Sequence, residues 1–158
     1  MNLPAGWLSD NEAATLATLA TDKTVLELGA WKGRSTTALA STARLVVSAD
    51  WHRGDPDAGY EPTLPDYWAN VRDLPNVAVV VGDFGQIVPL FASIFDLAFV
   101  DGAHDYESVL RDARGALHLT SGLVLFHDYD QPQVQEAVAA VGFKPIQAID
   151  TLAVCPTW

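Results

Sequence analysis

Asp50, Asp83, Asp101 and the pair His127-Asp128 each stand where a short apolar run of the chain stops, and Gly29 stands where another stops. Carboxylates and imidazoles in such places can grip hydroxyls, amines and cations. The segment Val25-Leu26-Glu27-Leu28-Gly29-Ala30-Trp31-Lys32-Gly33-Arg34-Ser35 reads as a strand, a glycine turn and the start of a helix. Glycines there let backbone amides approach a ligand closely, and a helix N-terminus favours a negative group. The spacing Gly-x-x-x-Gly also marks plain tight packing, so Glu27 adds the information. An acid near the end of a buried strand costs free energy unless something pairs with it. An ammonium group would pair with it, and a pyrophosphate would not.

Asp50 ends the next strand, where a carboxylate can hold a ribose diol. Asp83, followed by Phe84, can accept a hydrogen bond from an adenine amine, and the Trp51 ring can lie on an adenine face. Asp101, His127 and Asp128 end neighbouring strands and can meet a divalent metal. His127 has a second reading, as a bridge to Asp101 or Asp128 without metal. Each acid taken singly also resembles a solvated strand end or a helix cap. Their recurrence in strand order is what points to a ligand site.

Positioning these residues requires a regular scaffold, and the pattern supplies one. Ser9 can cap a helix with Glu12 in the capping-box position, leading into Ala13, Leu16 and Leu19. The expected strands are 24–28, 45–49, 77–81, 97–100 and 123–126, and the expected helices 35–43, 67–74, 106–117 and 134–141. Gly142 stops the last helix, and 144–149 with 152–155 read as a closing hairpin. Residues 52–66, rich in proline and glycine, read as a loop that could serve as a lid. Five apolar strands separated by helices describe a parallel sheet covered on both faces, an α/β fold. In such sheets ligands sit beyond the carboxyl ends of the strands, where the polar residues above gather.

Composition agrees with a folded globule: the 158 residues are 49% hydrophobic and 18% charged. That length suits one domain spanning 1–158. No apolar run approaches the ~20 residues of a membrane helix, so no membrane partner is expected. The lone Cys155 excludes an internal disulfide and a thiolate zinc cluster, and a cytoplasmic protein is expected. A net charge of −11 repels phosphate backbones, so the expected partner is a small-molecule acceptor and not nucleic acid.

Glu27-Leu28-Gly29-Ala30-x-x-Gly33-x-Ser35 resembles motif I of the class I S-adenosylmethionine-dependent methyltransferases. It is especially similar to the O-methyltransferases of the catechol and caffeoyl-CoA type. Asp101-Gly-Ala-His104-Asp-Tyr106 and Gly122-Leu-Val-Leu-Phe-His127-Asp128 resemble the bacterial branch that includes antibiotic-sugar O-methyltransferases. The resemblance implies a Rossmann-like sheet of order 3-2-1-4-5-7-6 with the last strand antiparallel. It implies that Gly29, Ala30 and Ser35 serve the methionine moiety, Asp50 the ribose, and Asp83 and Phe84 the adenine. It further implies magnesium held at the positions of Asp101, His127 and Asp128, and a general base at His104. Histidine at 127 departs from the carboxylate of catechol-type enzymes and leaves manganese, iron or zinc open. A helix cap is the plainer reading of His104.

Other classes share parts of this pattern. Amine-methylating members of the fold carry an Asn/Asp-Pro-Pro-aromatic run where this chain has Asp101-Gly-Ala-His104. A dinucleotide dehydrogenase would need Gly-x-Gly-x-x-Gly at the first turn. A non-catalytic cofactor-binding module remains the alternative to an enzyme.

Overall fold

In the computed structural model, which describes residues 3–54, 59–92 and 95–158, the sheet has seven strands. They are β1 (Thr24–Leu28), β2 (Leu45–Asp50), β3 (Val77–Val81), β4 (Phe95–Val100), β5 (Thr120–Phe126), β6 (Gln147–Ile149) and β7 (Leu152–Pro156). Their order is β3-β2-β1-β4-β5-β7-β6, as expected. The first five are parallel, and β7 runs antiparallel to both β5 and β6. The helices are α1 (Asp10–Ala20), α2 (Arg34–Ala40), α3 (Leu64–Val71), α4 (Phe84–Ile87), α5 (Tyr106–Leu119) and α6 (Pro132–Val141).

Strand alternation sends successive side chains to opposite faces, and each face has its own core. Leu26, Leu28, Val47, Ala49, Ala98, Val124 and Phe126 pack with α5 and α6. Val25, Val46, Leu97, Phe99 and Leu125 pack with α1 and α2. Glu27 therefore shares the α1/α2 face with Val25, and Ser48 lies opposite it in the register of β1 and β2.

Several boundaries differ from the expectations. α3 starts at Leu64 because Pro65 falls in its first turn, where a missing N–H costs no helix bond. β5 starts at Thr120 and passes so close to β4 that a Cβ on Gly122 would collide with the Asp96 carbonyl. The short α4 and the 3₁₀ turn Val88–Leu90 occupy a stretch whose helical content the pattern did not reveal. Residues 55–58 of the expected lid lie outside the described residues. Among the described residues no helix is long and apolar enough to cross a membrane.

The capping box of α1 is complete: Glu12 N donates to Ser9 Oγ at 3.1 Å, and Ser9 N donates to Glu12 Oε2 at 2.8 Å. Ser9 Oγ also donates to Asp150 Oδ2 at 2.6 Å, tying the helix start to the β6–β7 turn. Ser9→Ala is expected to lower stability by about 1 kcal/mol. Urea unfolding with an unchanged midpoint would contradict that role.

Candidate active site

The carboxyl ends of β1 to β5 open into a cavity of about 650 Å³. This lies within the ~300–1,000 Å³ usual for small-molecule sites. Gly29, Ala30, Ser35, Asp50, Trp51, Asp83, Phe84, Asp101, His104, His127 and Asp128 all line it. These residues come from the ends of five separate strands and form most of one wall.

Gly29 carries φ +96°, and any Cβ there would strike the Asp101 carbonyl, so β1 and the β4 end can meet only through glycine. Asp50 is fixed by the turn that follows. Its Oδ2 accepts from Ala30 N at 2.7 Å and Trp31 N at 2.9 Å, and its Oδ1 accepts from His52 N at 2.6 Å. Three of roughly four acceptor positions are thereby used, leaving one directed by a rigid mount. His52, buried with φ +56°, lies 2.9 Å from Thr63 Oγ1 and packs against the Tyr67 ring at a tilt of 44°. It closes the segment between β2 and α3.

Two expected cofactor residues do not reach the cavity. Gly33 starts α2 in the left-handed region at φ +87°, and its α-carbon packs on Val71 and Tyr67. Its role is local geometry. Glu27 is fully buried beneath the wall, because strand alternation turns it toward α2. Its Oε2 accepts from Thr36 Oγ1 at 2.6 Å and Ser48 Oγ at 2.5 Å, which replaces the ammonium the sequence called for. Among the described residues its Oε1 has no hydrogen-bond partner. Burial pushes its pKa up to about 7, against the hydroxyls of Ser35, Ser48 and Thr36 that work to lower it.

At the other end of the cavity, β5 stops at Phe126 and Asp128 adopts φ +53°. That left-handed residue lets two consecutive side chains serve one site, which a continuing strand would forbid. His127 Nδ1 lies 2.8 Å from Asp128 Oδ2 and 3.2 Å from Asp101 Oδ1. His127 Nε2 lies 3.3 Å from Glu12 Oε2. Burial alone would lower the pKa of this ring, but the hydrogen bonds to Asp101 and Asp128 raise it to about 11. His104 Nε2 lies 2.9 Å from Asp128 Oδ2. Burial opposes the charge of Asp128, yet the two histidines hold its carboxyl far below the usual range.

These contacts set His127 apart from the other two expected metal ligands. Both nitrogens of His127 face carboxylates, so the ring has no lone pair to offer a metal. The donors that converge, within 4.8 Å of one another, are Asp101, His104 and Asp128.

The sequence reading missed three contributors. Glu12 was read only as a capping residue, yet it is 2% exposed and its Oε1 also accepts from Thr151 N and Oγ1 at 2.9 and 2.8 Å. The N-terminal segment forms part of the cavity wall through Gly6, Trp7 and Leu8. Arg34 straps it down by donating to Leu8 O, Pro4 O and Asp10 Oδ1 at 2.7, 2.8 and 2.6 Å, and Trp7 stacks on Trp31. Arg111 lines the cavity from α5. The three-residue spacing of Asp105, Ser108 and Arg111 was the available signal for it, since such residues share a helix face.

Comparison with known proteins agrees with this architecture. A family described as a methyltransferase domain matches residues 26–129, and the chain belongs to that family. Its cofactor is S-adenosylmethionine, and the resemblance seen in the sequence holds. No curated protein sequence matches the chain. Among solved structures, cofactor-bound Rv0187 from MTB is similar at 22% identity and TM-score 0.75, covering 98% of this chain and 83% of that one. The O-methyltransferase TomG from Streptomyces achromogenes, involved in tomaymycin synthesis and solved with SAM, is similar at 20% identity and TM-score 0.71. The match covers 95% of this chain and 79% of TomG. Phosphoethanolamine N-methyltransferase 1 of Haemonchus contortus matches at 25% identity and TM-score 0.59, over 79% of this chain and 27% of that one.

The raised pKa of Glu27 fixes a pH dependence. A folded-state value near 7 against 4.5 for the ordinary group means that the folded protein binds the extra proton. Its contribution to stability is therefore present below pH 4.5 and is lost as pH rises to about 7. Glu27→Gln is expected to remove that slope and to be more stable than wild type at pH 8. Parallel stability-pH curves for the two proteins would contradict the assignment.

Proposed function

We propose that the protein transfers the methyl group of S-adenosylmethionine to a hydroxyl oxygen of a small molecule. The observation that carries this reading is His104, set against Asp128 in the same cavity as Asp50 and Asp83. In this reading the cofactor lies across the strand ends. Gly29, Ala30 and Ser35 meet the methionine part, Asp50 the ribose, and Asp83, Phe84 and Trp51 the adenine. The sulfonium then points toward Asp101, His104 and Asp128.

Asp128 Oδ2 lies 2.9 Å from His104 Nε2 and holds the ring in place. In its neutral form the ring takes the proton of the acceptor hydroxyl as the oxygen attacks the methyl carbon. The carbon–sulfur bond breaks, its electron pair stays on sulfur, and S-adenosylhomocysteine leaves. Histidine suits the task because its ordinary pKa of ~6.5 lies near the working pH. Asp128 orients the ring and stabilises its cation, and His127 fixes Asp128 in turn.

A divalent magnesium or manganese ion would find donors at Asp101, His104 and Asp128. It would supply a lowered acceptor pKa there. The arrangement fits such an ion poorly. Asp128 Oδ2 is already shared by two imidazoles, and Asp101 Oδ1 faces His127. The positive charge a metal would bring is supplied by His127 between three carboxylates. We therefore assign a metal-free reaction. The net charge of −11 favours a neutral or cationic small acceptor over nucleic acid. We also take residues 1–158 as one methyltransferase domain.

Methyl-labelled S-adenosylmethionine and a panel of hydroxylated acceptors test this reading. His104→Ala is expected to lose roughly 10²–10⁴-fold in rate while keeping its affinity for S-adenosylhomocysteine. Chelator treatment is expected to leave wild-type activity intact, and equilibrium dialysis to show no tight manganese. Activity lost to the chelator and restored by manganese would overturn the metal-free assignment. Cofactor binding without turnover on any acceptor would favour a binding module.

A further inference from the structure

The adenine end of the cavity carries a cation that the reading above leaves unused. Arg111 lines the cavity with Asp83, Phe84, Asp105 and Ser108. Its Nε donates to Asp112 Oδ1 at 2.9 Å, and the Asp112 side chain is 2% exposed against 46% for Arg111. This pairing is a mount. If Arg111 swung into solvent, a buried carboxylate would lose its counter-charge, which is costly. Burial works against the charge of Arg111, and Asp112, Asp83 and Asp105 more than offset it.

Two glycines show how tightly the parts converge. A Cβ on Gly85 would meet Asp83 Oδ1 at 3.0 Å and Arg111 Cδ at 3.5 Å, so these two side chains close over the same small residue. A Cβ on Gly102 would meet the Phe84 ring at 2.9 Å and Asp112 Oδ2 at 3.5 Å. The guanidinium and its mount thus bracket the two side chains assigned to adenine. Among the described residues, only the Nε–H of Arg111 has an acceptor, so the terminal amino groups can serve a ligand. Adenine presents an amine donor beside ring-nitrogen acceptors. A carboxylate alone satisfies half of that pattern, and a planar guanidinium supplies the other half.

We propose that Arg111, mounted on buried Asp112, is a cofactor-positioning residue that donates to a ring nitrogen of the adenine of S-adenosylmethionine, beside the amine that Asp83 accepts. The proposal rests on the cofactor orientation given above. Calorimetric titration with S-adenosylhomocysteine and with 5′-methylthioadenosine, which lacks the amino-acid end, tests it. Arg111→Ala is expected to weaken both ligands by the same factor, roughly ten- to hundredfold. It is also expected to lower the melting temperature, because buried Asp112 loses its counter-charge. The equal loss for the two ligands is therefore the readout that a merely structural role would not produce. Arg111→Lys should recover little, because a point ammonium cannot span Asp112 and a base edge together. Asp112→Asn should show a smaller loss in the same direction. Wild-type affinity in Arg111→Ala would overturn the proposal. So would a loss confined to S-adenosylhomocysteine, which would place Arg111 at the amino-acid end. Wild-type protein that binds neither ligand would instead overturn the assignment of the cofactor to this cavity.

Discussion

Three carboxylates converge on one buried imidazole, and the reactive half of the cavity depends on that meeting. His127 stands between Glu12 on one nitrogen and Asp101 with Asp128 on the other. An imidazole can satisfy acceptors on both nitrogens only as a cation, since the neutral ring has one N–H. The charge in turn makes the cluster tolerable. Three acids so close to a buried ring would repel one another and lose solvation without it. With it, Asp128 stays ionised and turned toward His104. The same ring links distant parts of the chain, because Glu12 belongs to α1 and also holds Thr151 in the β6–β7 turn. The geometry of this cluster and the docking of α1 on the sheet are one arrangement.

The opposite half of the cavity rests on backbone. Asp50 is held by amides of the glycine turn and of His52, and Gly29 brings β1 against the Asp101 carbonyl. Side chains on such mounts lose little freedom when a ligand arrives, which favours binding. Exposed aromatic surface gathers near the mouth, where Trp7 stacks on Trp31 and the segment carrying it is pinned by Arg34. Proteins named as an O-methyltransferase and an N-methyltransferase share this fold, so strand order by itself does not fix the atom that is methylated.

Much of this was legible in the sequence, because apolar strands are continuous and their ends are marked by acids or glycine. Strand order, the antiparallel β7 and the wall formed by Gly29, Asp50, Asp83, Asp101, His104 and Asp128 follow from that pattern and the family resemblance together. The direction of Glu27 is not legible in the sequence, because alternation within a strand buried on both faces leaves no trace in hydropathy. Both its neighbours are leucines, and only the placement of α2 shows that the acid turns toward Thr36. The contact of His127 with Glu12 is not legible in the sequence, because Glu12 lies 115 residues away and has a sufficient local role as a capping residue. The wall formed by Gly6, Trp7 and Leu8 was invisible because Arg34 reaches it across a gap that no local pattern encodes.

In the proposed function one cavity holds the cofactor in a single direction, with its sulfur delivered to the His104–Asp128 pair. A crystal structure with S-adenosylhomocysteine measures this directly. The predicted complex has the ribose diol on Asp50, the adenine between Phe84 and Trp51, and the sulfur facing Asp101, His104 and Asp128. A ligand lying in the reverse sense, with adenine beside His104, would contradict it.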